Sequence, residues 1–181
     1  MPNGTYVLEV DWNNDGDFLD TGEDVTADLR EIEYRRGRDY ASQLTGRCLG
    51  GELNALLNND DNRYNSFNTS SPLTGNLVPG RKVRLRSTAP AAKNIWTGFT
   101  DTIESEPHLG GAHTARLRAI GPLAYWNQWK VQAAMRTSVP TGDAIIEVLD
   151  KAGQAAADRD VDSGQTTMTR WWSDEVYTLE A

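Results

Sequence analysis

The sequence predicts a mainly β protein, an antiparallel β-barrel with one long loop and a small C-terminal helical appendage. Three observations carry this expectation. Roughly six or seven β-rich runs alternate with turn residues up to Ile120. A stretch dominated by Asn, Ser, Thr, Asp, Pro and Gly interrupts them over residues 58–80. The first helical periodicity comes only after Ile120. The barrel domain is accordingly placed at residues 1–123, with an acidic loop at 11–24 and the long loop at 58–80, and the helical appendage at 124–181.

The elements follow in order. Thr5 to Val10 is a β-rich run leading into the acidic loop, and Val25 to Arg38 resumes an extended pattern. Leu29, Ile32 and Tyr34 depart from strict alternation, which predicts a bulge or a strand restart near Arg30. The run from Arg47 to Leu57 contains Gly50 and Gly51, suited to a bulge or a close backbone approach. The long loop then begins at Asn58, with Tyr64, Phe67 and Leu73 expected to tuck it back onto the body. A structureless stretch of this length inside a domain is usually a contact surface. Three further strands are expected at Lys82–Ser87, Asn94–Glu104 and Ala112–Ile120, the last two joined by a turn around Leu109–Gly111. GPLAYWNQWK reads as a short aromatic helix or turn. From Pro140 to Gly153 an amphipathic helix is expected, with Asp143 in its first turn and Ile145, Ile146, Val148 and Leu149 as its buried stripe. The tail is polar up to Trp171 and Trp172 and then helix-like without a cap, so the natural protein is expected to continue or a partner to complete this end.

Composition limits the function classes. A length of 181 residues suits one domain plus an appendage, or two small domains. Six Trp, six Tyr and three Phe supply large core anchors. Eighteen basic against 26 acidic residues leave a net charge of −8 and a pI near 4.7. That balance opposes accumulation on nucleic acid or on an anionic membrane. MPNGTYVLEV lacks the basic start and apolar run of a secretion signal, and no stretch approaches the ~20 apolar residues of a membrane span. Synthesis and folding in a cytoplasm are expected. Cys48 is the sole cysteine and is read as a buried small hydrophobe.

Asp11-Trp-Asn13-Asn-Asp15-Gly16-Asp17-Phe-Leu-Asp20-Thr-Gly-Glu23 fits the D-x-[DN]-x-D-G pattern, in which alternate oxygen ligands wrap a hard cation and Gly allows the sharp turn. Calcium is the expected ion. Asp11, Asn13 and Asp15 would ligate through side chains and Asp17 through its carbonyl, with Asp20 or Glu23 closing the shell. A complete EF-hand is excluded, because Gly22 holds its twelfth position and β-like segments replace the flanking helices. The competing account is an acidic Asx-turn loop that only solvates a hairpin.

Other motifs point away from catalysis. Gly75–Gly80 mimics a phosphate-binding loop, but Arg81 and Lys82 replace its Lys and Ser/Thr, Pro79 removes an amide, and a strand follows. His108 and His113 lack a third ligand, no G-x-S-x-G nucleophile elbow is present, and pairs such as Asp60/Asp61 or Asp101/Glu104 are common in an acidic protein. Trp126, Trp129, Trp171 and Trp172 read as core between barrel and appendage, with a recognition surface as the alternative. Arg35, Arg36 and Arg38 could pair with acidic loops of a neighbouring subunit, or only solvate a strand end.

The order of these pieces resembles the N-terminal region of bacteriophage minor tail and baseplate hub proteins over Asp11 to Ala181. EVDWNNDGDFLDTGEDVTADLREIEYRRGRD looks like their opening strands. LNALLNNDDNRYNSFNTSSPLTGNLVPGRKVRLR looks like their strand, N-x-D-x-R-Y loop and L-x-P-G-R-x-V strand, and IWTGFTDTIESEP is similar to their G-x-(I/T)-D-x-I hairpin. The resemblance implies the split β-barrel of tail-tube, distal-tail and hub proteins. It further implies self-association in a three- or six-fold ring with other tail proteins, around a channel that passes the genome without sequence-specific binding. The expected location is the virion tail. PTGDAIIEVLDKAG and VDSGQTTMTRWW resemble the start of the helical insertion of hubs, whose remainder and second barrel do not follow. The alternative from another class is a calcium-binding adhesion or carbohydrate-binding β-module, since the acidic loop also resembles those of secreted bacterial β-domains. A tail-associated hydrolase finds no catalytic constellation.

Overall fold

The computed structural model describes residues 5–37, 50–106, 111–126, 130–154, 156 and 159–177. The chain forms two compact units, Met1–Pro122 and Leu123–Ala181.

The first unit comprises β1 (Thr5–Val10), a 3-10 turn (Thr26–Asp28), β2 (Leu29–Arg35), β3 (Glu52–Asn58), β4 (Lys82–Ala89), β5 (Lys93–Glu106) and β6 (Thr114–Ile120). These six strands make one antiparallel sheet in the order β1-β4-β5-β6-β3-β2, curled into a half-barrel. Alternation builds it. Leu53, Ala55 and Leu57 of β3, Val83 and Leu85 of β4, and Ala115, Leu117 and Ala119 of β6 face inward at every second position and are buried together with Leu8, Val10 and Trp96. Each large apolar side chain so buried contributes about 1.5–3 kcal/mol.

The strands lie close to their expected places, and the differences are physical. The restart expected near Arg30 is a register shift between Leu29 and Glu31. Comparable shifts between Leu85 and Arg86 and between Thr100 and Thr102 add local bend and twist to the sheet. The extended pattern expected directly from Val25 starts instead with the 3-10 turn. Gly51 serves the close approach: its carbonyl accepts the Gly121 amide at 2.6 Å, and an added Cβ would lie 3.0 Å from the Trp96 indole nitrogen. The described part of the 47–57 run enters the sheet at Glu52, whereas Cys48, Arg38, His108 and most of the Leu109–Gly111 turn fall outside the described residues.

The long loop is ordered by its own polar side chains. Asn65, Asn68 and Ser71 each cap the backbone amide two residues on, at 3.0–3.1 Å, and successive i to i+3 backbone bonds link Asn65, Asn68, Ser71 and Thr74. Tyr64, Leu73 and Leu77 enter the core as its lid. Phe67 does not tuck back as expected, since it is 91% exposed; its turn carries it outward.

The second unit corrects the helical appendage. It contains α1 (Pro122–Trp126, beginning at the boundary), β7 (Lys130–Pro140), α2 (Thr141–Lys151) and β8 (Thr167–Tyr177), with β7 and β8 paired antiparallel. The stretch after Trp171, expected to be helix-like, is strand through Tyr177. Register shifts at Ala133 interrupt the period of two in this hairpin, which conceals it from a reading by alternation. Helix α2 stands where Pro140–Gly153 predicted, ended by Gly153 at φ 75°. Its buried residues are Gly142, Ala144 and Val148 rather than the four-residue apolar stripe, and Ile145 is 50% exposed. Ala144 and Val148 pack with Ala133, Val139 and Trp171. Of the other tryptophans, Trp126 is half-buried, Trp172 is exposed and Trp129 lies outside the described residues. No helix among the described residues is long and apolar enough to cross a membrane.

Candidate functional site

The acidic loop is a long excursion whose two ends are stitched together. The Val10 amide donates to the Glu23 carbonyl at 2.9 Å, Val25 donates to Leu8 at 3.0 Å, and Glu9 and Asp24 form an antiparallel bridge. The returning arm therefore lies along β1, while the Asp11 amide donates to the Lys82 carbonyl of β4 at 3.0 Å. Trp12 turns into the core, its indole N–H donating to the Gly22 carbonyl at 3.1 Å and its ring 6.2 Å from Tyr64.

Within the loop, side-chain oxygens cap backbone amides. Asp11 Oδ2 accepts from Gly16 at 3.0 Å, Asn13 Oδ1 from Asp15 at 3.2 Å, Asp15 Oδ1 from Asp17 at 3.1 Å and Asp17 Oδ1 from Leu19 at 2.9 Å. Glu23 Oε2 accepts from the Asp20 amide at 3.0 Å. The reversal is made by Asn14 at φ 63° and Gly16 at φ 99°, a left-handed conformation that glycine adopts freely. A side chain on Gly22 would meet the Arg63 guanidinium, and its φ of 94° favours glycine as well.

Of the six residues predicted as metal ligands, the structure gathers Asp11, Asp15 and Glu23, each with one carboxylate oxygen within 4.8 Å of the others. Asp20 is tied to them through the Asn13 amide, which donates to Asp15 Oδ2 at 3.0 Å and to Asp20 Oδ2 at 2.5 Å. The Asp17 carboxylate accepts from the Leu19 amide, a bond that leaves aside the carbonyl expected to ligate. Asp11 and Glu23 are 0% and 2% exposed, whereas Asp15 is exposed. Burial pushes the Glu23 carboxyl above its ordinary range, and Asp11, Asp20 and Asp15 reinforce the rise against the Asp20 amide. The Asp17 amide and the Asn13 side chain hold Asp15 below its ordinary range.

Beside the loop stands a buried ion network that the sequence reading missed. Glu9 accepts from Arg84 Nε at 2.8 Å and from Arg86 Nε at 2.9 Å. Burial opposes its ionisation, but hydrogen bonds and charge from Arg86 and Arg84 outweigh that and hold its carboxyl below the ordinary range. Arg84 also covers the Phe18 ring at 4.2 Å. The available signal was the spacing of Arg84 and Arg86, two residues apart on one face of a strand. On the opposite flank, Asp28 accepts from Tyr64 Oη at 2.5 Å and from Arg63 at 3.2 Å.

A second feature is a groove of about 730 Å³ between the long loop and the ends of β5 and β6, lined by residues that include Asn59, Asn62, Asn65, Phe67, Glu104 and His113. Its polar wall is anchored where Asn59 Nδ2 donates to Ser105 at 2.9 Å and the His113 amide donates to Asp60 at 3.0 Å. His113 is exposed and joins no metal-type cluster among the described residues. Arg36 donates to the Ile95 carbonyl, and Arg35 is exposed on β2. Gly75–Gly80 runs into β4 rather than into a helix.

A scan against protein-family models finds no matching model, and a search of curated proteins finds no match.

Proposed function

We propose that the chain is a non-catalytic structural module of a bacteriophage tail tip or baseplate that assembles into a ring around the tail channel. The observation that carries the proposal is a curled six-stranded half-barrel whose two outer strands differ. β1 is flanked by the arm returning from the acidic loop. β2 ends the sheet among the described residues and presents Arg30, Glu31, Glu33 and Arg35 as exposed charges of both signs. Outer strands are either guarded or paired with a neighbour. A closed ring requires two different faces on each subunit, and the mixed-charge β2 and the acidic loop are such a pair. The tail-protein resemblance of the sequence supplies the setting: a split barrel of the tail-tube kind, made in the host cytoplasm and carried in the virion tail. The test is a particle reconstruction with mass spectrometry of purified virions. A three- or six-fold ring of this chain at the tail tip is expected; absence of the chain from the particle rejects the reading.

The groove favours a second reading, a carbohydrate-binding β-module. An exposed aromatic face beside amide and carboxylate side chains matches the apolar faces and hydroxyls of a sugar. Glycan-array binding that Phe67→Ala abolishes would establish it, and a blank array removes it.

A further inference from the structure

We propose that the loop from Asp11 to Glu23 is a calcium site, with Asp11, Asp15 and Glu23 as its carboxylate ligands. The inference is independent of the tail assignment. Asx turns account for much of the loop, including the backbone bonds of Asn13, Asp15 and Asp17, but not for its buried end. There Asp11 Oδ2 and Glu23 Oε2 are taken up by the Gly16 and Asp20 amides, while Asp11 Oδ1 and Glu23 Oε1 are buried with no hydrogen-bond partner. Two like-charged carboxylates are thus held out of water, each with an open oxygen, an arrangement that is costly unless a cation meets both. Asp15 joins them from the solvent side, all three within 4.8 Å of one another. Two oxygens on opposite sides of one calcium ion lie up to about 5 Å apart, so a single ion can meet the set.

The donors are all hard oxygens on an irregular loop, which suits the flexible coordination of calcium better than the rigid octahedron of magnesium. The placement also gives the ion a mechanical role. Asp11 leaves β1 and Glu23 begins the arm that returns along it, so one ion clamps both ends of the loop beside the outer strand. Trp12, buried next to Asp11 and bonded to Gly22, is a built-in reporter.

The test uses the full chain. Thermal melts are recorded with chelator, calcium chloride and magnesium chloride, and indole-sensitised terbium luminescence is measured in parallel. Calcium at a hundredfold excess over Kd raises Tm by about 5–10 °C, with magnesium well behind, because an ion that binds only the native state stabilises it by mass action. Terbium emission excited through Trp12 is displaced by calcium. Asp15→Ala, at an exposed position, removes most of the rise without threatening the fold. Asp11→Asn and Glu23→Gln abolish it while leaving the chelator-treated melt no lower than that of the parent, since each removes a buried like charge. Identical melts in calcium and chelator overturn the proposal. A calcium rise that survives in all three variants, or a magnesium rise equal to that of calcium, overturns the assignment of site or ion.

Discussion

Glu9, on the outer strand β1, binds two arginines of the neighbouring β4 and is itself almost fully buried, so most of its charge is compensated by protein rather than by water. Glu9→Gln keeps the shape and removes the anion, leaving Arg84 and Arg86 to be rehydrated at their part-exposed heads. The expected cost is about 1–3 kcal/mol, between the values for exposed and fully buried pairs. A lower urea midpoint at unchanged slope is the signature; an unmoved midpoint means the arginines lose nothing to water. Tyr64 separates packing from hydrogen bonding in the same neighbourhood. Tyr64→Phe removes only the 2.5 Å bond to Asp28 and should cost about 1 kcal/mol. Tyr64→Ala also opens the cover over Trp12 and should cost about 3–5 kcal/mol. Equal losses in the two variants would show that the ring packs against nothing of consequence.

Packing divides the long loop into two parts. Tyr64, Leu73 and Leu77 belong to the core, whereas the stretch from Ser66 to Ser70 is largely exposed and held by local caps. Replacing 66–69 by a short Gly-Ser turn should leave Tm within a few degrees of the parent, and removing 60–78 should prevent folding. Circular dichroism of the two deletions decides it, and a folded larger deletion would contradict the lid role. In the second unit, Trp171 is, among the described residues, the one large side chain buried with Ala144 and Val148 of α2. Trp171→Ala should cost about 3–5 kcal/mol locally and release the amides of α2 to hydrogen exchange; protection that persists would mean that α2 is held by other contacts.

Assembly places a different demand on the surface than folding does. Glu33 is exposed on β2, so Glu33→Lys should leave the melt nearly unchanged. If β2 meets the acidic loop of a neighbouring copy, the same change replaces a repulsion by an attraction, so incorporation into particles rises at low salt and falls more steeply as salt is added. Incorporation equal to that of the parent across salt concentrations would count against β2 as the joining edge. Charge reversal is the better probe here, because a proline inserted in β2 would damage its pairing with β3 as well as any contact outward.

The sequence by itself determined what depends on near neighbours. Strand runs follow from a side-chain period of two, and the turns of the long loop follow from Asn and Ser capping amides two residues on. α2 follows from its apolar periodicity and the glycine after it, and the cation-loop pattern follows from alternate oxygens around Gly16. Only the tertiary structure decided what depends on residues far apart. It paired β1 with β4 and set the sheet order, and it turned Tyr64 in and Phe67 out. It joined β7 to β8 across α2, where register shifts at Ala133 break the period of two. It also brought the carboxylates of Asp11, Asp15 and Glu23 to one place, through the backbone bonds that join Val10 to Glu23. Local chemistry repeats along the chain and can be read there. The choice among long-range partners rests on burial and loop closure, which no short window of residues contains.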